Sequence, residues 1–374
     1  MNNKIVAITV VVVVIVLGVW WYVGKSKAEP ASGEPIKIGF VGSLTGGLAS
    51  WGTESKNSIA LAVSEINAEG GVDGRPIEII YEDGACDAKA ATNAAQKLIT
   101  IDKVPIIISY CSLESVTVAP IAEANKVILF APAATTPNLT TAGDYVFRLA
   151  PSDAAPGKAM GLHMNEEYDK VALITESSEF SQALRNSFLS ENKNELVVDE
   201  TFGPTVNDFR SSLSKLKRFN PEAVFVNANR PTAAGLMVKQ ARELGLDTKF
   251  YGVYWGSDPE FLKVAGQTAE GFRYYSFTVD ETRADVQRFL ANYEKYVGET
   301  APNPQFAILS YDGMYVLAEA IKEAGTNPDK LRDYLYQMEE FSGLSGNISF
   351  DENGDSAGID FKLFEVRNGK PVEM

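Results

Sequence analysis

Residue types that could carry catalysis are sparse in this sequence. The only histidine, His163, sits in the run MGLHMNEEYDK with Leu162 and Met164 beside it. No serine or cysteine pattern near it forms a nucleophile elbow. The glycines of GFVGSLTGG do not make the GxGxxG dinucleotide fingerprint, and the chain has no GK[ST] phosphate loop. Asp83 and Asp87 share a turn, where two acids more often cap a helix or face water than act as a pair. These residues argue against an enzyme and call for no cofactor and no metal.

What remains is binding chemistry. Ser112 stands between an expected strand and an expected helix, at a helix start where free N–H groups and the dipole favour an anion. A plain capping serine would occupy the same place, and one geometry serves both roles. Arg230 could hold an anionic group by a bidentate contact, or bond a helix end at the cleft rim. Cys86 and Cys111 are the only cysteines. An even count suits a disulfide in an exported chain, the other reading being two buried thiols.

The elements around these residues alternate. Residues 36–41 read as an apolar strand, followed by a helix with Ile59, Ala62, Val63 and Ile66 on one face. A strand at 77–81, a helix at 88–100, a strand at 105–109, a helix at 113–124 and a strand at 127–130 continue the rhythm. Near Phe147 and Arg148 it restarts, with strands at 170–175, 196–202, 223–226 and 249–252 separated by helices. Helices at 283–297 and 305–324 are expected to return to the first half, before strands at 346–350 and 361–366. The pattern is α/β, two doubly wound Rossmann-like lobes joined by a hinge. Ligands of such sheets sit beyond the carboxyl ends of the strands, so two facing lobes enclose a cleft. The expected division is 1–24 as a transmembrane anchor or signal, 25–35 as a linker, 36–150 as the first lobe and 151–279 as the second. Residues 280–350 then return to the first lobe and 351–374 to the second.

With 374 residues the chain suits two lobes, and its net charge of −15 argues against nucleic acid. Residues 5–23 are apolar except for Thr9 and Tyr22, long enough to span a bilayer. Lys4, Lys25 and Lys27 flank the run, and Ser26-Lys27-Ala28 offers small residues to a signal peptidase. An uncleaved anchor and a cleaved signal are both compatible with this segment, and since lysines flank it on both sides its charges do not fix the orientation. Export is an expectation that rests mainly on the resemblance below.

The segments IKIGFVGSLTGGLASWG (36–52) and LAVSEINAEGGVDGRPIEIIYEDGACDAKAA (61–91) resemble the start of the leucine/isoleucine/valine-binding protein family. The likeness continues through residues 109–159 and, more loosely, through FGPTVNDFRSSLSKLKRFNPEAVFV and KQARELGLDTKFYG. That family comprises type I periplasmic binding proteins of ABC importers. The resemblance implies a disulfide between Cys86 and Cys111, and a cleft that takes an amino acid of branched-chain type or a related carboxylate. It implies that Ser112 receives the ligand carboxylate and that Trp51 closes over the ligand side chain. It places Ala133, Ala134 and Thr135 in the loop that offers a backbone carbonyl and a hydroxyl.

The second lobe departs from the family pattern. Phe180 stands where a tyrosine is frequent, Arg230 or Asn229 where a tyrosine is usual, and Tyr254 near where a glutamate would meet the ligand ammonium. The carboxylate half of the site is retained by this reading and the ammonium half lacks its acid. Permease and ATPase subunits are the expected partners of a monomer. The alternative is a ligand-binding sensor for amides or organic acids acting through a partner.

Overall fold

The computed structural model of the chain describes residues 31–357 and 361–374. The apolar run 5–23 lies outside the described residues. Among the described residues no helix is long and apolar enough to cross a membrane.

The first sheet is built from β1 (Ile36–Gly42), β2 (Ile77–Asp83), β3 (Ile106–Ser109), β4 (Ile128–Ala131) and β5 (Val146–Arg148). All pair in parallel, in the order β2-β1-β3-β4-β5. β3 and β4 are buried at every position, which is why they read as unbroken apolar runs rather than as alternation. Helices α1 (Ala49–Ala68), α2 (Ala88–Thr100) and α3 (Ser112–Ala124) connect these strands and cover the sheet.

α4 (Ala154–Glu167) leads into the second sheet: β6 (Lys170–Glu176), β7 (Glu195–Phe202), β8 (Ala223–Asn227), β9 (Lys249–Val253) and β10 (Arg273–Ser276). These five are parallel, with α5 (Glu179–Glu191), α6 (Arg210–Phe219), α7 (Pro231–Glu243) and the short α8 (Pro259–Ala265) between them. The chain then returns through α9 (Ala284–Val297), α10 (Pro304–Ala324) and α11 (Pro328–Gln337), of which α9 and α10 pack on α1. A hairpin of β11 (Phe341–Ser342) and β12 (Asn347–Ile348) follows. Asp355 bridges to Arg148 beside the first sheet, and β13 (Lys362–Arg367) and β14 (Lys370–Glu373) finish as antiparallel edge strands of the second. The repeated exchange of chain between the two sheets is the hinge.

Two local findings differ from the sequence reading. The segment expected as a free tether is fastened from Ala31 onward. Ala31, Ser32 and Gly33 donate their N–H groups to the carbonyls of Asn67 and Gly74, and Arg75 Nε donates to the Glu34 carbonyl. The expected helix after Leu113 begins one residue earlier, so Cys111 is the N-cap and Ser112 the first helical residue.

Gly52 shows how tightly α1 meets the first sheet. A Cβ there would lie 2.0 Å from the Ser43 carbonyl oxygen, backbone that has no rotamer with which to yield. Gly52→Ala is therefore expected to lower the unfolding free energy by about 1–3 kcal/mol. Urea denaturation measures it, and an unchanged midpoint would refute the packing argument.

Candidate functional site

The strand ends of both sheets feed one interlobe chamber. In the first lobe, β1 runs into the loop that starts α1, which carries Leu48 and Trp51. β3 runs through Tyr110 and Cys111 into α3, led by Ser112. β4 runs into Pro132, Ala133, Ala134 and Thr135. From the other side come Phe180 at the start of α5, Asn229 after β8, Tyr254 and Trp255 after β9, and Phe306 in the first turn of α10. The chamber they enclose has a volume of about 50 Å³. Its walls are mostly aromatic. Trp51 stands edge-on to Trp255 with centroids 5.1 Å apart, and Phe306 lies 5.0 Å from Trp51 and 5.5 Å from Tyr254.

Six of the expected residues are thus brought together: Trp51, Ser112, Ala133, Thr135, Phe180 and Tyr254. Two are not. Ala134 turns into the core behind the first sheet and is 1% exposed, because the extended loop sends alternate side chains to opposite sides. Arg230 lines a neighbouring outer chamber of about 260 Å³ instead. Its Nε donates to Glu176 at 2.7 Å, Nη2 to the Val206 carbonyl at 3.0 Å and Nη1 to Asn207 at 3.3 Å. With its fork committed to this lobe, Arg230 serves the outer wall and not an anion in the inner chamber.

The start of α3 is held by Glu114, which accepts from the Cys111 and Cys86 amides and from the Ser43 hydroxyl at 2.9–3.0 Å. Burial pushes its pKa up to about 7 against these donors. Cys86 and Cys111 are joined by a disulfide with Cα atoms 6.0 Å apart, tying the turn after β2 to the cap that precedes Ser112.

Tyr254 reaches the chamber through an unusual backbone. Its φ of 58° and ψ of −47° lie where a residue with a side chain is strained by about 1–3 kcal/mol. The turn breaks β9 and swings the ring into the cleft, and the Tyr254 amide is caught by the Tyr275 carbonyl at 2.9 Å.

The lobes are closed on one another by carboxylates. Trp51 Nε1 donates to Asp258 at 3.0 Å. Thr136 and Asn138 of the first lobe donate to Glu179 of the second at 2.6 and 2.7 Å. The Tyr254 and Thr135 hydroxyls both donate to Asp153 at 2.6 Å. Burial raises Asp153 and Asp258 to about 6 and Glu54, behind Trp51, to about 8. His163 is remote from all of this, with Nε2 3.2 Å from the Tyr251 hydroxyl on the second sheet.

Sequence reasoning missed Leu48, Tyr110, Asp153 and Phe306 as parts of the site. Only Phe306 carried a local signal. Pro304 marks a helix start, and an aromatic two residues on faces whatever that start points at.

The pattern of the Periplasmic binding protein family matches residues 35–371. The leucine-, isoleucine-, valine-, threonine- and alanine-binding protein of Pseudomonas aeruginosa is 28% identical over 344 residues, 89% of this chain and 90% of that protein. The branched-chain amino acid transporter substrate-binding protein LivJ of Streptococcus pneumoniae, solved with isoleucine, is 31% identical with a TM-score of 0.81, covering 91% of this chain and all of that one. A solute-binding protein of an ABC transporter from Rhodopseudomonas palustris, solved with 3,4-dihydroxybenzoic acid, is 26% identical with a TM-score of 0.75, covering 91% and 96%. With its two doubly wound lobes shut over a chamber at their strand ends, the chain belongs to the periplasmic binding protein family.

Proposed function

We propose that this chain is the extracytoplasmic solute-binding protein of an ABC importer, closing its lobes on an amino acid of branched-chain type or a related carboxylate. The observation that carries this is the inner chamber, where the first turn of α3 and Ser112 face an enclosure rich in aromatic rings. Free N–H groups at a helix start receive a carboxylate, and the rings accept a small apolar side chain. The ligand docks on the Ser112 and Thr135 lobe, and the Tyr254 lobe then swings over it and excludes water. The closed monomer docks on permease and ATPase subunits, held at the membrane by residues 5–23. Turnover of the ligand forms no part of this reading.

A thermal-unfolding panel of the full chain with amino acids, amides and mono- and dicarboxylic acids tests it. Leucine, isoleucine or valine should stabilise the fold by about 2.7 kcal/mol at a hundredfold excess over its dissociation constant. Silence across the whole panel would remove this reading.

A further inference from the structure

The inner chamber contains a feature that its lining alone does not reveal. Among the described residues, no acidic and no basic side chain lines it. The indole N–H groups of Trp51 and Trp255 are taken by Asp258 and the Ala228 carbonyl, and the other polar side-chain groups there are hydroxyls and the Asn229 amide. Directly behind two of those hydroxyls lies Asp153, 0% exposed and just ahead of α4. Its Oδ1 accepts from the Tyr254 hydroxyl and its Oδ2 from the Thr135 hydroxyl, each at 2.6 Å. The Asp153 amide in turn donates to the Thr135 carbonyl at 2.7 Å. The three groups are therefore fixed relative to one another from both lobes.

The direction of these bonds decides what the chamber sees. An ionised carboxylate only accepts, so both hydroxyl hydrogens point backward to Asp153. The two oxygens then offer only lone pairs forward. A hydroxyl bonded to a carboxylate is also polarised, which strengthens it as an acceptor. Two such acceptors on a buried negative charge form a subsite for N–H donors, above all for a cation. Tyr254 occupies its place only through its strained positive-φ turn, so the backbone is bent to deliver this hydroxyl.

We infer that Asp153 supplies the negative charge that recognises the ligand ammonium, acting through the Thr135 and Tyr254 hydroxyls rather than by contact. This rests on the amino-acid reading above and narrows it. The ligand is an α-amino acid whose carboxylate meets α3 and whose ammonium meets the hydroxyl pair. Asp153 is a positioning residue in this scheme, and it stands in for an acid that the chamber wall lacks.

The test is calorimetric titration of the full chain with matched pairs that differ only in the amine: leucine and isocaproate, valine and isovalerate, phenylalanine and hydrocinnamate. The wild-type chain should favour the amine-bearing member of the pair it binds by about a hundredfold or more. Asp153→Asn should weaken that amino acid by about a hundredfold and its deaminated partner by less than threefold. Tyr254→Phe keeps the ring and the aspartate, and should weaken the amino acid about tenfold while sparing the acid. It decides the question if the Asp153 variant does not fold.

A pH series adds a readout that a purely structural role would not move. The groups facing Asp153 are Arg148 from β5, Glu179 from α5, and Tyr254 and Thr135 through their hydroxyls. Asp153 sits at about 6 in the closed lobes, raised by burial. An adjacent ammonium favours its ionised form, so affinity for the amino acid is full above that value and falls as pH drops through it. The expected loss is about fourfold between pH 7.5 and 5.5, with the deaminated acid unaffected. Equal losses for both members of a pair in both variants would overturn the inference, as would wild-type binding of the acid as tightly as its amine. Either result leaves the carboxylate-binding site standing. If no member of any pair binds, the amino-acid reading itself falls, and the inference with it.

Discussion

Arg148→Met is expected to destabilise the protein by about 3–5 kcal/mol, because it strips one partner from a buried ion pair. Arg148 ends β5 and is 1% exposed. Its Nη2 meets Asp355 at 2.5 Å and donates to the Thr140 hydroxyl at 3.0 Å. Its Nη1 donates to the Thr136 carbonyl at 2.5 Å and the Thr135 carbonyl at 3.3 Å. One side chain thus holds the loop that carries Thr135 against the segment through which the chain leaves the first lobe. The variant should lose ligand affinity as well as stability. Urea unfolding measures the first effect and calorimetry the second. Adding Asp355→Asn should restore part of the stability, since the stranded carboxylate is the costly element. A loss below about 1 kcal/mol in the single variant would show that the pair is not the anchor described here.

The second large effect is expected from the disulfide. Replacing Cys86 and Cys111 together with serine should lower stability by about 3 kcal/mol, for bridged residues 25 apart in sequence. The local consequence reaches further. Ala85 and Cys86 both have φ of 49°, two successive left-handed residues that carry side chains, so the turn is strained. It is held by the bridge and by the Cys86 amide on Glu114. Without the bridge the turn can relax, and Cys111, the cap directly before Ser112, loses its outer support. Ligand affinity should fall in the serine variant and in dithiothreitol alike. Unchanged affinity in the unbridged protein would mean that Glu114 alone positions the start of α3.

Much of this architecture is legible in the sequence wherever a segment is buried on both sides. Residues 36–41, 170–175, 223–226 and 249–252 read as strands because they are short, predominantly apolar runs broken by no more than one lysine, and the structure has strands there with one end shifted by a residue. β10, RYYS, was missed. Its arginine and tyrosine hydroxyls mask a strand whose rings are nonetheless packed. α11 was missed because an amphipathic helix rich in Lys, Arg and Asp looks like surface until its buried Leu331 and Leu335 are placed.

The site divides along similar lines. Ser112 was readable because a helix start after a strand end is a local feature. Asp153 was not, since its meaning lies in partners 18 and 101 residues away. Arg230 misled for the opposite reason. A guanidinium near a cleft invites an anion, but the buried carboxylate that satisfies it, Glu176, closes a different strand. Types and spacing reveal which groups could meet a ligand; only the packing reveals which are already committed.

Trp51 brings one more property. Of the four tryptophans, Trp20 and Trp21 lie outside the described residues, and the other two are Trp51 and Trp255, edge to face across the closed lobes. Their indole N–H groups are held by Asp258 and by the Ala228 carbonyl. Parting the lobes would separate the rings, break the Trp51 contact and wet both indoles at once. The protein therefore carries a built-in optical reporter of its own conformation. The ultraviolet emission of an unlabelled sample should shift to the blue as the lobes shut, and stopped-flow mixing could time each closing event without any attached dye.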